Sequence, residues 1–447
     1  MQLHIGIDDT DSPQGGCTTY IGALLVERLQ ALGVEFVDFL NLLRLNPNVP
    51  WKTRGNGAVC LRIEVDEEDE RNARRMVVDA VETLAEFDCG NTNPGIVFMR
   101  GEVPEPVMDF SDRVVQSVVT LEEARELIDE VEASAVGYKN MRGIIGALAA
   151  IGGLQRGDHT FELLTYRTPE NWGKPRQLDE SSVREMDARL GGSTFNNVDS
   201  ESGRVLIAPH GPDPILYGIR GEDPGAVYTA STIIMPLEPV ERWVIFRSNQ
   251  GTDAHLRHRS KISDLAPFNP AIVTGEVVES PRTIQGGHVI FVLGDGTALT
   301  DCAAYEPTGG FRDTVRLLRP GDSVTVYGGV RAQETGCNRT LNVEKLEVTG
   351  LAADIRLVNP SCPICGSGME SMGTGKGFRC RRCGHRDGSM EKEEVEMERV
   401  LEMGLYIPPP KAQRHLTKPL SRYGREKGTD LQITRPEDIK WNSHQCQ

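Results

Sequence analysis

The sequence has no apolar run approaching the ~18 residues that a membrane-crossing helix needs, so no membrane span is expected. Its first residues, MQLHIGIDDTD, carry neither the basic segment nor the long apolar core of a secretory signal. Internal repeats are absent. Cysteine is sparse, with ten in 447 residues. Six of these, Cys17, Cys60, Cys89, Cys302, Cys337 and Cys446, are scattered along the chain. That is not the dense framework of a small secreted domain, and a reducing, cytoplasmic setting is expected. Positive charge is also short: 49 Lys and Arg stand against 65 Asp and Glu, a net charge of -16. Such a chain is not an obvious nucleic-acid binder as a whole. The charge is uneven, however. Residues 64–70 and 391–398 are acidic and read as solvated faces, whereas 411–447 holds eight basic against four acidic residues.

What is present fits globular protein. An apolar fraction of 38% and a charged fraction of 26% exclude wholesale disorder and a collagen-like chain. At roughly 150 residues per domain the length suggests about three domains. Residues 3–7 read as a strand ending in Asp8-Asp9-Thr10-Asp11. A helix is expected from Thr18, its apolar positions Ile21, Leu24, Leu25, Leu29 and Leu32 keeping helical spacing until Gly33. A short strand at 34–39, a strand at 58–65 and a helix at 68–87 continue an alternating α and β pattern. Residues 136–266 read as a second unit. Helices are expected at 138–151 and 183–190, with strands at 158–166, 205–207, 215–219 and 243–246. A ferredoxin-like arrangement suits them. Residues 267–350 break into short alternating runs punctuated by Gly, Asp and Asn, which suggests a small β-barrel of OB type, a β-sandwich being the alternative. An acidic helix is expected at 391–403, then a basic tail too poor in apolar residues to order except on a partner.

Several motifs carry chemistry. Cys362-x2-Cys365 and Cys380-x2-Cys383 have the spacing of a tetrahedral zinc site with four thiolates. Four thiolates leave no open position, so the role is structural, and the surrounding Lys376, Arg379, Arg381, Arg382 and Arg386 could meet a nucleic-acid backbone. Asp8, Asp9 and Asp11 close the first strand, where ligands bind in open α/β sheets. Close carboxylates suit a cation such as Mg²⁺ shared with phosphates, or, more plainly, a solvated turn. Cys17-Thr18-Thr19 opens the next helix. Either threonine could be its N-cap, or a hydroxyl here could contact or receive a phosphoryl group. Lys52-Thr53-Arg54-Gly55-Asn56-Gly57 is not a Walker A loop, yet its charges and glycines could cradle phosphates. Two polar loops, 209–214 and 249–255, follow strands. They are either ordinary turns or binding loops, and an acidic residue there could pair with a cationic ligand.

Taken in order, GIDDTDS, CTTY, RLNPNVPWKTRGNGA, GPDPILYGIRGE and NQGTDAH, then the barrel and the four-cysteine ribbon, closely resemble the archaeal tRNA(Ile) agmatidine synthetases, also called tRNA 2-agmatinylcytidine synthetases. The resemblance covers most of the chain. It implies a multidomain α/β and α+β protein. The expected modules are a kinase-like α/β domain (1–135), a ferredoxin-like domain (136–266), an OB-fold (267–352), a zinc ribbon (353–404) and a basic tail (405–447). It implies an ATP-dependent ligase acting on isoleucine tRNA with a CAU anticodon. Agmatine replaces the C2 oxo group of the wobble cytidine after phosphorylation of that oxygen, and ATP becomes AMP and phosphate. By motif, Asp8, Asp9 and Asp11 would hold Mg²⁺ and the ATP phosphates. Thr18 matches an autophosphorylated threonine. Lys52, Arg54 and Asn56 would contact phosphates or nucleotide, Asp213 would face agmatine, and Cys362, Cys365, Cys380 and Cys383 would hold Zn²⁺. No protein partner is implied. The alternative class is a non-catalytic nucleic-acid binder in which barrel and ribbon do all the work. A third reading is an enzyme of the same architecture with a different amine or RNA.

Overall fold

The computed structural model describes residues 1–153, 157–332, 339–428 and 436–444. One large sheet is built mainly from the first 250 residues, with Glu35–Phe36 added beside Gly57–Glu64 and Asn442–His444 beside Val240–Ser248. From one edge its strands are Ser134–Gly137, Gly95–Arg100, Gln2–Asp8, Gly57–Glu64, Leu40–Arg44, Val240–Ser248, Thr160–Arg167, Ile215–Gly221 and Thr194–Phe195. Neighbours are antiparallel except at one place. Leu40–Arg44 and Val240–Ser248 run in parallel, with Phe246 opposite Leu40 and Ser248 opposite Leu42. Gln2–Asp8 and Leu40–Arg44 are both antiparallel to Gly57–Glu64 and so run the same way. Three strands therefore end on the same side of the sheet, delivering Asp8, Arg44 and Ser248 there.

The helix Thr18–Ala31 starts where expected and covers one face with Ile21, Leu25 and Leu29. The opposite face is covered by Gly143–Gly152, which follows the expected boundary at 135 yet packs on the first strands. Contact is very close: a Cβ on Gly6 would lie 1.9 Å from the Ala147 carbonyl oxygen, so only glycine admits this helix. The expected helix at 138–151 is shortened at its start. Lys139 and Met141 adopt positive φ, and the Asn140 side chain accepts from the Arg142 N–H at 3.0 Å, making a turn of what the apolar spacing extended. In the expected strand at 205–207, only Val205 pairs, in an isolated bridge to Val198. Glu105–Gln116 and Leu121–Glu130 are helices in a stretch that carried no expectation, the second opened by a Thr120/Glu123 capping box.

The barrel follows. Pro270–Thr283, Val289–Gly294, Leu299–Ala304, Ser323–Val330 and Thr340–Gly350 form its ring, and parallel pairing of Leu299–Ala304 with Thr340–Gly350 closes it. Closure excludes the sandwich and gives the OB-fold. The expected acidic helix at 391–403 is instead a strand, Glu393–Met397, paired with Asp354–Val358. Val395 and Met397 alternate with glutamates at period two, which is the strand pattern.

The described residues of the tail, 405–428 and 436–444, pack on the rest of the protein, contrary to expectation. Gly404–Tyr406 adds a strand to the barrel sheet. Leu416, Thr417 and Arg422 are buried, and Trp441 packs on Phe36 and Phe39. Part of the tail's positive charge is spent inside the protein: fully buried Arg422 meets Asp158 at 2.9 Å and Glu222 at 2.8 Å.

The ribbon is built around its thiols. Cys362 Sγ lies 3.5 Å from Cys383 Sγ and Cys365 Sγ 3.5 Å from Cys380 Sγ, with all four within 4.8 Å of one another. Four sulfurs each about 2.3 Å from one ion make a tetrahedron of edge about 3.8 Å, so the set fits zinc. These spacings are too long for disulfides, and the eight described cysteines are free; Cys337 and Cys446 lie outside the described residues. Among the described residues no helix is long and apolar enough to cross a membrane.

Two outcomes are expected. Arg422→Met strands two largely buried carboxylates, and chemical denaturation should show a loss of about 3–5 kcal/mol; unchanged stability would mean that the tail is not held by this contact. A strong chelator should release one zinc per chain, measured by atomic absorption, and expose the four thiols to a thiol reagent. Release of no zinc from freshly purified protein would remove the structural-metal assignment.

Candidate active site

The site forms where the three like-directed strands end. Asp9 takes φ +57°, turning the chain sharply after Asp8. Asp8 points at the start of the helix Gly143–Gly152, and a Cβ on Gly146 would lie 1.9 Å from Asp8 Oδ2. Burial, and next the neighbouring Asp9 charge, pushes Asp8 well above the usual carboxylate range. Burial also raises Asp9 despite Arg142, whose Nη2 donates to Asp9 Oδ2 at 2.8 Å. Asp11 is held differently: Oδ1 accepts from Thr53 Oγ1 at 2.6 Å and Oδ2 from Arg54 Nε at 2.9 Å. The three aspartates therefore do not converge on one point. Asp8 and Asp9 lie side by side on the wall of the cavity, with the Arg142 charge opposing the effect of burial on both. Asp11 anchors the loop 52–57.

Thr18 is the first residue of its helix. The N-cap is Cys17, which makes no side-chain cap bond, so neither threonine caps. Thr18 Oγ1 instead lies 2.9 Å from Thr10 Oγ1, and Thr19 Oγ1 3.0 Å from Cys17 Sγ. Burial, followed by Asp213, pushes the Cys17 thiol up to about 11, so it stays protonated and unreactive.

A cavity of about 460 Å³ opens here, and Asp8, Asp9, Asp11, Thr18, Lys52, Arg54, Asn56 and Asp213 all line it. Four separate sequence motifs thus meet in one space. Burial, with Arg414 adding to it, lowers Lys52 to about 8, and its Nζ donates to the Pro47 carbonyl. Asn56, at φ +45°, donates to the Asn46 carbonyl at 2.7 Å. Asp213 receives Arg176 at 3.1 Å on Oδ1 and Arg54 at 3.5 Å on Oδ2.

The loop 249–255 turns out to be a connector. Asn249 Oδ1 accepts from the Arg44 N–H at 2.8 Å while its Nδ2 donates to the Arg44 carbonyl at 2.9 Å. The Gln250 amide reaches Glu162 on one side and His415 on the other. Arg44, Arg142 and His415 line the cavity and were not nominated from sequence. Arg44 opens the stretch RLNPNVPWKTRGNGA, a usable signal; Arg142 and His415 carried none, because they arrive from remote segments.

The matched family models tile the chain: the TiaS TCKD domain over residues 4–140, the TiaS FLD domain over 141–255, the OB-fold nucleic acid binding domain over 271–349 and the TiaS C-terminal zinc ribbon domain over 359–401. Among curated relatives, the isoleucine-tRNA 2-agmatinylcytidine synthetase TiaS of Methanosarcina mazei is 44% identical over 427 residues, covering 94% of this chain and 97% of its own. That of Pyrococcus horikoshii is 45% identical over 422 residues, covering 94% and 97%. Among solved structures, the complex of TiaS with isoleucine tRNA and ATP superposes with TM-score 0.83 at 40% identity, covering 97% of this chain and all of that one. The complex of TiaS with isoleucine tRNA, AMPCPP and agmatine gives TM-score 0.81 at 39% identity, covering 94% and 97%. With similarity of this extent along every domain, the chain belongs to the isoleucine-tRNA 2-agmatinylcytidine synthetase family, TiaS.

Proposed function

We propose that this protein is an ATP-dependent ligase that installs agmatine at C2 of the wobble cytidine in isoleucine tRNA with a CAU anticodon, yielding 2-agmatinylcytidine. The observation that carries this reading is the meeting of the DDTD, CTTY, KTRGNG and GPDP segments on one cavity, in a chain whose relatives have been solved with isoleucine tRNA, ATP and agmatine. We assign the reaction to the cytoplasm, in keeping with a tRNA substrate.

The chemistry asks for charge control more than for covalent machinery. The C2 oxygen of cytosine is a poor leaving group. Transfer of one phosphoryl group from ATP turns it into a phosphate leaving group, and the neutral amine of agmatine then attacks C2, loses its proton and expels that phosphate; water cleaves the second phosphoanhydride, so ATP ends as AMP and two phosphates. The enzyme positions the reactants and neutralises charge. Asp8 and Asp9, adjacent carboxylates on the wall of the cavity, would hold Mg²⁺. When bound, the ion would neutralise charge on the ATP phosphates. Asp11 aims Arg54 across the cavity, and Lys52, Arg54 and Asn56 face the nucleotide. Lys52, lowered to about 8, would regain full charge beside phosphates. The Thr18 hydroxyl, held by Thr10 at a helix start, would accept a phosphoryl group. Asp213 already carries the Arg176 guanidinium, and agmatine's guanidinium would take the longer Oδ2 contact from Arg54.

We assign residues 1–135 as a kinase-like domain, 136–266 as ferredoxin-like, 267–352 as the barrel that meets RNA, 353–404 as the ribbon and 405–447 as the tail. The ferredoxin-like assignment is supported by strands Thr160–Arg167, Ile215–Gly221 and Val240–Ser248 backed by helices Glu180–Leu190 and Pro224–Ile233.

Reconstitution tests this reading. Purified protein, Mg-ATP, agmatine and unmodified transcript should give agmatine at the wobble cytidine, read by mass spectrometry of the digested tRNA. Thr18→Ala should abolish incorporation, and Asp9→Asn should slow it by about 10²–10³-fold. ATP turnover without incorporation would remove agmatine or this tRNA from the proposal, and tight tRNA binding without turnover would reduce the protein to a binding module. Asp213→Asn should raise the agmatine KM by about ten-fold with kcat little changed. An unaltered KM would take Asp213 out of the amine site.

A further inference from the structure

The main cavity adjoins a smaller one of about 240 Å³. Arg44, Pro209, Ile215 and His415 line both, and Arg44 stands at the junction. Its side chain is only 14% exposed. Strand pairing and the two Asn249 bonds hold its backbone, so its place is not set by its charge.

The guanidinium finds little to hold. Nη2 lies 3.7 Å from Glu162 Oε2, Nη1 makes a long 3.4 Å bond to the Gly55 carbonyl, and Nε is buried with no partner. Glu162 is already engaged by Arg220 Nε at 3.1 Å and by the Gln250 amide. Two arginines thus share one carboxylate. Arg242 and Arg247 also bury an unpartnered Nε, but each keeps a close carboxylate, Glu27 at 2.6 Å and Asp38. Arg167 is more deeply buried still, yet its Nε and Nη2 both meet Glu238 and its Nη1 donates to the Lys174 carbonyl at 2.7 Å.

Nor do the neighbours of Arg44 neutralise it. His415 brings no charge, because Arg44, burial, Arg220 and Lys52 hold its imidazole well below the usual range. A small space lies in front of these groups. A Cβ on Gly55 would sit 2.6 Å from Arg44 Nη1 and 3.6 Å from His415 Nε2, so glycine alone keeps it open. Surplus positive charge, an unused N–H and a cradle on a cavity wall are what an anion needs.

We propose that Arg44, with Lys52 and His415, forms a subsite for a phosphate-class anion at the junction of the two cavities, and that the C-terminal segment bearing His415 completes it. That segment lies beyond residue 401, where the last matched family model ends. The inference rests on the function proposed above, which supplies two bearers of such a group: the ATP polyphosphate and a phosphodiester of the bound tRNA.

The test uses the full-length protein without turnover. Binding of ATP alone and of unmodified tRNA transcript alone is measured at fixed salt, with the thermal midpoint of the free protein, for wild type, Arg44→Met and Gly55→Ala. In Arg44→Met the free-protein midpoint should hold or rise, since an under-neutralised buried charge is gone. One affinity should fall by about ten- to a hundred-fold. Loss confined to ATP identifies the polyphosphate, and loss confined to tRNA the phosphodiester. Gly55→Ala, which fills the cradle without changing charge, should weaken the same ligand and carries the test if Arg44→Met does not fold. Wild-type affinity for both ligands in the variants, or a lowered midpoint with affinities intact, overturns the subsite. Wild-type protein that binds neither ligand overturns the proposed function instead.

Discussion

Leu40–Arg44 and Val240–Ser248 lie side by side and run in the same direction, and among the described residues this is the only strand pairing that joins the two halves of the large sheet. The active site depends on that joint. A parallel pair ends both strands at one edge, so Arg44 and Asn249 emerge together and lock by reciprocal hydrogen bonds. Asp8 arrives at the same edge because its strand also opposes Gly57–Glu64, and the loop 52–57 arrives because it leads into that strand. A register slip by one residue would carry Leu42 and Phe246 to the opposite face of the sheet, so the buried core and the site geometry are set by the same pairing.

Electrostatics divides the molecule in a way that net charge conceals. The chain is strongly acidic, yet the cavity gathers Arg44, Lys52, Arg54 and Arg142 on its walls. The basic tail, which its composition suggests should reach for RNA, uses much of its charge internally. Arg422 neutralises Asp158 and Glu222, and Lys418 meets Glu426 at 2.8 Å. Buried charges of this kind cost desolvation and are held by several partners each. Asp8, at the end of the first strand, is the exception. Asp9 and Asp11 each have an arginine partner, whereas burial and the neighbouring Asp9 charge leave Asp8 the least compensated, on the wall of the cavity.

Local chemistry is legible in this sequence, whereas long-range assembly is not. The paired CxxC spacing, the DDTD cluster and the glycine-bearing KTRGNG turn are short patterns whose chemistry does not depend on the rest of the fold. The OB-fold is readable from alternating runs, although barrel against sandwich needs the pairing of Leu299–Ala304 with Thr340–Gly350. Glu393–Met397 reads as helix because a run of glutamates has high helix propensity, whereas Val395 and Met397 alternate and Asp354–Val358 supplies a partner. Arg142 and His415 escape notice because their meaning comes from neighbours 133 and 165 residues away, Asp9 and Gln250. The tail reads as unfolded because its buried polar bonds have no signature in composition.

Those same polar bonds couple the barrel to the catalytic half. Lys345, on the last barrel strand and fully buried, pairs with Asp253 and donates to the Lys418 carbonyl and the Tyr423 hydroxyl. One residue earlier, Glu344 meets His255 at 2.9 Å and Arg414 at 3.4 Å; against the opposing effect of burial, these partners hold it down to about 2. Barrel, connector loop and tail therefore meet in one charged seam with little freedom to slide. A module that binds RNA on a loose tether would leave the target base to find the cavity by diffusion. A barrel fixed to the residues beside Arg44 and His415 would present it in a set orientation, and orientation is where an enzyme with little covalent work to do gains most of its rate.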